Sequence, residues 1–486
     1  MSLSDLDDTA RKALHRAGSF FTGLMTPTLR LGVTGLSRAG KTVFITALIR
    51  NLVSGGRLPF FSPEAEGRIE RAYLEPQPDD AVPRFDYEAH LKTLGSNPPA
   101  WPESTRRLSQ LRITIAYLSA NPLVRAFGPS RLNLDIVDYP GEWLIDLPLL
   151  QQGYEAWSAE AIEQAREVPR MPHAKPWLDV LDIIDPYATA DEQVALKGTR
   201  LFCDYLLAAR ASDHVLHTNG PGRFLMPGDL EGSPLLTFFP LPLEANRSTP
   251  RGSLAAMMAR RFESYKSHIV RPFFRDHFAR LDRQIVLVDL LGPLNEGGQA
   301  LADLQRALDG VLGAFRTGTS TWLTALLINR RIDKLLFAAT KADHIHSSSH
   351  DRLEAILRLV TERARGRTTS SGAEVGVQAL AALQATHEAE AKAGDDLLPC
   401  IVGVPLAGER VGAKVFDGKQ EAAIFPGDLP EDPKRALSPE ASPAGLQFVR
   451  FQPPRVLSPG ADGEAAPLPH IRLDRALDFL LSDWLT

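Results

Sequence analysis

The residues of this sequence with the clearest chemical potential lie near its beginning, where Gly35, Gly40, Lys41 and Thr42 have the spacing Gly-x4-Gly-Lys-Thr. This pattern is typical of a phosphate-binding loop when it follows a strand and precedes a helix. Both conditions are met, since residues 29–34 form a short apolar run and apolar residues recur every four positions after the loop. The sequence therefore predicts a phosphate-binding loop between a strand and a helix.

Each part of this loop has a physical role in holding a nucleotide. Glycines let successive backbone N–H groups turn toward phosphate oxygens, and the start of the helix adds the positive end of its dipole. Lys41 is predicted to place its ammonium near the β and γ phosphates, and the Thr42 hydroxyl is predicted to bind Mg²⁺. The residues predicted to contact the phosphates are Gly35, Ser37, Arg38, Ala39, Gly40, Lys41, Thr42 and Val43.

A carboxylate for Mg²⁺ can be sought in three Asp-x-x-Gly sequences, which begin at Asp138, Asp229 and Asp289. In P-loop nucleotidases this Asp ends a strand beside the loop strand and holds the metal through water, while the Gly donates its N–H to the γ-phosphate. Asp229 follows no predicted strand. Asp289 ends a strand, but if it were the metal carboxylate, only one strand would remain before the base-binding motif described next. Asp138 and Gly141 are therefore predicted, and Asp289 is interpreted as the end of a structural strand.

The sequence Thr340-Lys341-Ala342-Asp343 follows an apolar run at residues 335–339 and matches the [Asn/Thr]-Lys-x-Asp motif. A carboxylate here can accept two hydrogen bonds from the ring N–H and the exocyclic amine of guanine, and adenine lacks these donors on that edge. The Lys341 stem can lie against the base. The motif therefore favours GTP and GDP over adenine nucleotides.

Two further contacts are predicted from their positions in the chain. The guanine carbonyl usually meets the backbone of a small-residue loop, for which Ala382 is the candidate and residues 403–405 are the alternative. A Thr or Ser hydroxyl before the second core strand usually completes the Mg²⁺ shell when the γ-phosphate is present. Thr105 is predicted for this role, with Ser109 as the alternative.

These residues need a scaffold that brings strand ends together. Apolar strand-like runs alternate with helical stretches, which indicates an α/β fold with a mainly parallel sheet covered on both faces. Residues 143–281 have apolar residues at helical spacing, whereas residues 58–101 are rich in proline and are predicted to be irregular. The predicted strands cover residues 29–34, 111–118, 132–138, 284–290, 334–340 and 375–383.

The predicted domain organisation follows from these elements. Residues 1–25 form an amphipathic helix that packs on the domain behind it or, in the alternative, attaches to a membrane surface. The remaining segments are the first part of a P-loop core at 26–142, a helical insert domain at 143–283, the second part of the core at 284–405, and a Pro/Gly-rich segment with a C-terminal helix at 406–486.

The composition argues against several classes of function. The chain of 486 residues has 54 Lys and Arg against 59 Asp and Glu, so it offers no basic footprint for nucleic acid. Its two cysteines lie far apart and indicate neither a disulfide framework nor a zinc site, which favours a reducing compartment. No stretch approaches the ~18 apolar residues of a membrane span. The sequence predicts a cytoplasmic protein that attaches at most peripherally to the membrane.

Several stretches resemble the YcjX family of bacterial P-loop GTPases, over nearly the whole chain. They include GLSRAGKT, WPESTRRLSQLRITIAY, DYPGEWLIDLPLL, DRQIVLVDLLGPLNEG, TKADHI and PHIRLDRALDFLLSDWL. The resemblance implies a Ras-like nucleotide core with a helical insertion, and binding of GTP and GDP. It also implies a link to stress response and to a neighbouring membrane protein.

Glu142 stands where many Ras-like GTPases carry Gln after Asp-x-x-Gly. A carboxylate can accept a hydrogen bond from the attacking water but cannot donate one as an amide does, so slow hydrolysis is predicted. The insert follows Asp-x-x-Gly, unlike the helical domain of heterotrimeric G-protein α subunits, so no catalytic arginine is inferred by analogy with them. Arg106 and Arg107 are interpreted as solvated arginines rather than as catalytic ones.

The sequence as a whole predicts a Mg²⁺-dependent GTP- and GDP-binding switch with slow GTP hydrolysis. Glu142, Thr105 and Lys41 are its predicted catalytic residues, and Thr42, Thr105 and Asp138 are its predicted metal-binding residues. One alternative is an ATPase in which the Thr-Lys-Ala-Asp motif is incidental. The other is a module that keeps GDP as a bound ligand and does not hydrolyse GTP.

Overall fold

The computed structural model describes most of the 486 residues of the chain. The described ranges are 26–36, 38–77, 79–103, 105, 107–168, 170–211, 220–277, 280–313, 332–370, 372–393, 396–438, 445–455 and 466–486. The predicted N-terminal helix at residues 1–25 lies outside them.

A seven-stranded sheet forms the centre of this structure. Its strands are β1 (Thr28–Gly35), β2 (Ile69–Glu75), β3 (Ser109–Tyr117), β4 (Ser130–Asp138), β5 (Arg283–Val288), β6 (Lys334–Ala339) and β7 (Glu374–Ala379). They lie side by side in the order β2-β3-β4-β1-β5-β6-β7. The five strands from β4 to β7 in this order are parallel, whereas β3 and β2 join by antiparallel pairing. The predicted α/β fold with a mainly parallel sheet is confirmed.

Helices connect and cover the strands. They are α1 (Lys41–Ser54), α2 (Ser62–Ala65), α3 (Tyr87–Leu94), α4 (Pro122–Arg125), α5 (Tyr154–Arg166), α6 (Met171–Leu181), α7 (Glu192–Ala211), α8 (Gly222–Leu225), α9 (Leu254–Tyr265), α10 (Arg271–Asp276), α11 (Leu291–Glu296), α12 (Gly298–Gly313), α13 (His350–Val360), α14 (Glu362–Ser370) and α15 (Leu473–Leu481). A 3₁₀ segment, Gly141–Gln151, follows β4, and a π-helical turn, Lys266–Val270, joins α9 to α10. No helix of the described ranges is both long enough and apolar enough to cross a bilayer.

Both faces of the sheet are buried, because successive side chains of a strand point to opposite sides. In β5, Ile285 and Leu287 pack in the core that contains α1 and α15. Val286 and Val288 pack on the other side, in the core that contains α12 and α13. Burial on both faces fixes the positions of the parallel strands. Several predicted site residues lie at or just after the carboxyl ends of these strands.

The described residues between β4 and β5 are mainly helical and share one continuous hydrophobic core with the α12 side of the sheet. Its interior is aromatic; for example, the rings of Trp157 and Phe262 stack with centroids 4.9 Å apart. A buried ion pair of 2.5 Å joins Arg170, at the start of α6, to Asp303 of α12. We call the described residues within 152–281 the helical segment; the limits of a separate domain, 143–283, stay a prediction.

Several elements differ from the sequence-based expectations. β2 and α3 lie within residues 58–101, which were predicted to be irregular. β2 was missed because it is an edge strand with little alternation of buried and exposed residues. A second sheet, also not predicted, contains β8 (His387–Ala393), β9 (Asp396–Gly403) and β12 (Ala422–Ile424), and a short hairpin pairs β10 (Arg410–Val411) with β11 (Lys414–Val415). The segment after residue 405 therefore contains strands as well as its C-terminal helix.

Candidate functional site

The predicted phosphate-binding loop occupies the turn between β1 and α1. β1 ends at Gly35 and α1 begins at Lys41, with Gly40 at φ 82° and Arg38 at φ 65°. Positive φ values turn the backbone sharply, and at Gly40 they are free of the Cβ strain that other residues meet. Val43 is the third residue of α1, and the first backbone N–H groups of a helix have no partner within the helix, which makes such a start suited to an anion. Ser37 lies outside the described residues.

The Asp-x-x-Gly segment lies directly against this loop. A Cβ added to Gly141 would come 2.1 Å from the carbonyl oxygen of Gly35, so only glycine allows the two backbones to approach this closely. β4, which ends at Asp138, pairs with β1 in parallel register. The predicted γ-phosphate contact, Gly141, is therefore held at the mouth of the loop.

The three predicted metal-binding side chains meet beside the loop. The Thr105 hydroxyl donates a 2.6 Å hydrogen bond to Oδ2 of Asp138, and it lies 3.3 Å from the Thr42 hydroxyl. Ser109, the alternative to Thr105, is the first residue of β3 and pairs across the sheet with Asp138. The structure thus brings Thr42, Thr105 and Asp138 together from three separate parts of the chain.

The oxygens of this cluster fit a small divalent cation. Oδ1 of Asp138 is buried and has no hydrogen-bond partner among the described residues, which is costly unless another group satisfies it. Burial raises the pKa of Asp138 to about 6, against the opposing charge of Lys41. A bound cation would supply the missing partner and favour the carboxylate. Hydroxyl and carboxylate oxygens are also the ligands that Mg²⁺ prefers.

Lys41 is buried at the same place. Its Nζ donates a 3.0 Å hydrogen bond to the carbonyl of Gly35. Burial lowers the pKa of Lys41, while the charges of Asp138 and Glu142 act in the opposite direction. A phosphate anion in the loop would add negative charge beside this ammonium and stabilise its charged form.

Glu142 has a partner that the sequence did not suggest. Its Oε1 accepts a hydrogen bond from Nη2 of Arg210, which lies in the last turn of α7. An arginine in the last turn of a helix is common because it complements the helix dipole, so its position gave no sequence signal. Of the arginines considered from sequence, Arg107 is exposed and Arg106 lies outside the described residues.

The predicted base-binding motif follows β6 at the same edge of the sheet. Lys341 has φ 61°, and the chain then turns so that Asp343 is 4% exposed. Oδ2 of Asp343 accepts a 2.8 Å hydrogen bond from the backbone N–H of Ala385. This bond fixes the carboxylate, and both of its oxygens retain lone pairs that could face a base.

The loop that contacts Asp343 is the one that follows β7. Ala382 is half-buried in the bend of this loop, and the Thr386 hydroxyl donates to the Asp343 carbonyl. The alternative, residues 403–405, lies behind it, since a Cβ on Gly403 would come 3.2 Å from the carbonyl oxygen of Ala385. The loop with Ala382 is therefore the nearer of the two to the carboxylate.

Asp289 lies between the two halves of the site. Its Oδ2 pairs with the Lys341 ammonium, and its Oδ1 accepts a 3.3 Å hydrogen bond from the backbone N–H of Gly292. Burial acts to raise the pKa of Asp289, but Lys341 and Gly292 outweigh it, so the pKa lies below its ordinary value. Both oxygens of Asp289 are engaged within the protein, whereas Oδ1 of Asp138 has no partner among the described residues.

The phosphate loop and Asp343 lie at one edge of the sheet, where the carboxyl ends of parallel strands meet. β1 and β6 are separated by β5, a lateral distance of about 10 Å at ordinary strand spacing. Crevices at the carboxyl ends of such strands are common ligand sites in α/β folds. This spacing suits a ligand with phosphates at one end and a base at the other.

Comparison with known proteins supports a family assignment. The profile described as "YcjX-like family, DUF463" matches residues 29–485. The protein named "Ras-like GTPase YcjX" of Escherichia coli (strain K12) is 38% identical over 472 residues, covering 94% of this chain and 96% of the relative. The protein of the same name from Shewanella oneidensis (strain MR-1) is 33% identical over 506 aligned residues, covering 100% and 99%.

A solved structure shows a weaker similarity. It is titled "Signal recognition particle receptor SRb-GTP/SRX complex from Chaetomium thermophilum", with 13% identity and a TM-score of 0.25 over 73% of this chain and 93% of the other. A TM-score at this level is too low to bear on the assignment.

Proposed function

This chain belongs to the YcjX-like family, and we propose that it is a Mg²⁺-dependent protein that binds GTP and GDP, hydrolyses GTP slowly, and acts as a nucleotide-dependent switch. The relatives named above are called Ras-like GTPases, which supports the same activity here. A stress-related role and a partner at the membrane are parts of this proposal that depend on the family resemblance alone.

The observation that carries the proposal is the cluster of Thr42, Thr105 and Asp138 beside Lys41. A buried carboxylate oxygen without a partner among the described residues, two hydroxyls and an ammonium meet beside one loop that is shaped for phosphate. Mg²⁺, when bound, would neutralise charge on the β and γ phosphates. Thr105 comes from the segment before β3, so it would be able to sense whether the γ-phosphate is present.

Asp343 supports guanine as the base. Its carboxylate is oriented by Ala385 and accompanied by the ion pair of Lys341 with Asp289. A fixed carboxylate rejects adenine on this edge because it would face an acceptor there instead of two donors. The ATPase alternative gives this buried, oriented carboxylate no role.

Hydrolysis would require the attacking water to be positioned near Gly141 and Glu142. The Gly141 N–H would donate to the γ-phosphate, and a Glu142 oxygen would accept a hydrogen bond from the water. The nucleophile is water, the bond between the γ-phosphorus and the bridging oxygen breaks, and GDP and phosphate leave. Positioning and charge stabilisation supply most of the catalysis in this chemistry.

A switch also needs a path from the nucleotide to the rest of the protein. The 3₁₀ segment contacts the P-loop through Gly141 and the helical segment through Asp146, whose Oδ1 accepts a 2.7 Å hydrogen bond from the N–H of Gly222. Asp146 Oδ2 also accepts a 2.6 Å hydrogen bond from the hydroxyl of Tyr265. Displacement of the 3₁₀ segment by a γ-phosphate would therefore shift the helical segment.

Calorimetric titration with GTP, GDP, ATP and ADP in Mg²⁺ tests the proposal. Both guanine nucleotides should bind at least about 100-fold more tightly than the adenine ones, and GTP and GDP should differ in Mg²⁺ dependence. Lys41→Ala should abolish measurable binding, whereas Lys92→Ala, at an exposed position on α3, should leave it unchanged. Equal affinity for ATP and GTP, or GDP binding by Lys41→Ala at the parent affinity, would contradict the proposal.

A further inference from the structure

Arg210 reaches the nucleotide site from a part of the chain that carries none of the predicted motifs. It lies at the end of α7 in the helical segment, and its Nη2 pairs with Oε1 of Glu142. The Arg210 side chain is 27% exposed, whereas that of Glu142 is 6% exposed. The guanidinium thus lies on the outer side of the buried carboxylate.

The backbone on both sides of Glu142 is fixed by close contacts. Gly141 lies against the Gly35 carbonyl of the phosphate loop, as described above. On the other side, a Cβ added to Gly222 would come 1.8 Å from the carbonyl oxygen of Glu142. The backbone at Glu142 is therefore packed between the phosphate loop and the helical segment. The Glu142 carboxylate binds Arg210 at this junction of the two parts.

The charges of this junction reach the P-loop lysine. Burial lowers the pKa of Lys41, the carboxylates of Asp138 and Glu142 act to raise it, and the Arg210 guanidinium acts to lower it. The two cations, Lys41 and Arg210, therefore share one neighbourhood with these two carboxylates, and nucleotide phosphates would add negative charge that both cations can stabilise. Because the Arg210 side chain is partly exposed to solvent, its attraction to Glu142 contributes little to the stability of the fold. Stability alone therefore does not account for the position of Arg210.

We propose that Arg210 is a catalytic arginine that the helical segment supplies to the GTP site, and that Glu142 is the residue that positions it. The inference goes beyond the proposed GTPase function and rests on it. It assigns the charge-stabilising role to a residue outside the phosphate-loop, Asp-x-x-Gly and base-binding motifs.

The chemistry of the role is specific. Water attacks the γ-phosphorus, the bond to the bridging oxygen breaks with its electron pair, and the water protons pass to phosphate and solvent, giving GDP and inorganic phosphate. Charge spreads over the γ and bridging oxygens during this step. A guanidinium has five N–H donors in a planar fork, so it can contact a phosphate oxygen while keeping a bond to Glu142.

The first test compares Arg210→Ala and Arg210→Lys with the parent protein and with Arg200→Ala. Arg200 is an exposed arginine on the same helix, so it controls for loss of a positive charge on α7. Single-turnover GTP hydrolysis at saturating Mg²⁺ should slow by about 10- to 100-fold in Arg210→Ala, the range that separates cores with and without an arginine in cis. GDP affinity should stay within about threefold of the parent.

Added guanidinium at low millimolar concentration should restore part of the Arg210→Ala rate and should leave Arg200→Ala unchanged. A purely structural arginine would not show this rescue. Thermal melting of each variant identifies any loss of folding, and Arg210→Lys keeps the side-chain stem in case Arg210→Ala does not fold. Arg210→Lys should remain slow, because a point charge does not reproduce the planar fork.

The positioning role of Glu142 is tested by the double variant Glu142→Ala/Arg210→Ala. If Glu142 positions Arg210 in addition to contacting the water, the loss of rate in the double variant should be at least about threefold smaller than the product of the two single-variant losses. Losses that multiply would show that the two residues act independently, and would overturn the positioning role of Glu142.

The outcomes separate this inference from the proposed function. A parent protein that binds and hydrolyses GTP, together with an Arg210→Ala rate within twofold of it, overturns the inference and leaves the function standing. A parent protein that binds no GTP overturns both. Slow hydrolysis in Arg210→Ala with guanidinium rescue confirms the catalytic arginine.

Discussion

The hydroxyl of Thr105 donates a 2.6 Å hydrogen bond to Oδ2 of Asp138, which joins the segment before β3 to the end of β4. The same hydroxyl lies 3.3 Å from that of Thr42, at the start of α1. The start of α1, the segment before β3 and the end of β4 are therefore in contact through these three side chains. The other oxygen of this carboxylate, Oδ1, has no hydrogen-bond partner among the described residues.

Thr105→Ala should lower the affinity for GTP in Mg²⁺ more than the affinity for GDP. The hydroxyl is predicted to contribute when the γ-phosphate is present, so the GTP affinity should fall by about 5- to 10-fold, the worth of one hydrogen bond of roughly 1 kcal/mol. Thr105→Ser keeps the hydroxyl and should retain most of the affinity. Calorimetry with both nucleotides measures the effect, and equal losses for GTP and GDP would refute this role.

The two strand-end carboxylates, Asp138 and Asp289, should respond differently to truncation. Asp138→Ala should weaken Mg²⁺-dependent GTP binding by about 10- to 100-fold, because a charged group at the metal position is lost. Asp289→Ala should mainly reduce stability, by about 1 to 3 kcal/mol, because it leaves Lys341 and the Gly292 N–H without their acceptor. Binding in the presence and absence of Mg²⁺, and denaturant unfolding, measure the two effects. The reverse pattern would move the metal site to Asp289.

The buried carboxyl of Asp146 should make stability depend on pH. Burial raises its folded-state pKa from 3.8 to about 6, although Tyr265, the Gly222 N–H and the charge of Arg223 oppose the shift. Because the folded protein binds a proton more readily than the unfolded chain, this group stabilises the fold below about pH 4 and loses that contribution as pH rises through 6. Between pH 7.5 and pH 5 the gain is about 1.4 kcal/mol.

Asp146→Asn removes this titration and can keep both hydrogen bonds, since its oxygen can accept from Gly222 and its amide can donate to Tyr265. Between pH 7.5 and pH 5, guanidinium unfolding should show a gain in stability that is about 1.4 kcal/mol smaller in the variant than in the parent, because Asp138, whose pKa is also about 6, titrates in both. Asp182→Asn, at an exposed position at the end of α6, serves as the control. An unchanged pH dependence in Asp146→Asn would show that Asp146 does not titrate in this range.

The parts of the site that could be predicted from sequence are those whose residues lie close together in the chain or next to a recognisable strand. Gly40 and Lys41 lie within one short motif, Asp138 ends an apolar strand and Asp343 follows one, so their positions at one edge of a parallel sheet could be predicted. Thr105 was predicted from its place before a strand. The structure brings its hydroxyl to Asp138.

Other parts depend on contacts between distant segments and left no local pattern. Arg210 lies 68 positions after Glu142 on a helix whose own sequence favours an arginine at that end. Gly222 is required because a Cβ there would collide with the Glu142 carbonyl. The spacing of apolar residues in the sequence does not indicate this contact. Outside the main sheet, β10, β11 and β12 are only two or three residues long and β9 contains Pro399, so these strands lack the apolar alternation on which strand prediction depends.

The central claim is that the site holds a guanine nucleotide, and Asp343→Asn tests it most directly. An amide at this position accepts from the ring N–H but donates where guanine carries its amine, and it matches the carbonyl that xanthine carries there. Asp351→Asn, on the exposed face of α13, is the matched control.

Calorimetry of the parent, Asp343→Asn and Asp351→Asn with GTP and with xanthosine triphosphate gives the measurement. We expect Asp343→Asn to lose about 5- to 150-fold in GTP affinity, or ~1 to 3 kcal/mol, and to bind xanthosine triphosphate more tightly than GTP. Asp351→Asn should behave as the parent does. Unchanged GTP affinity in Asp343→Asn, with no gain for the xanthine nucleotide, would contradict the assignment of guanine to this site.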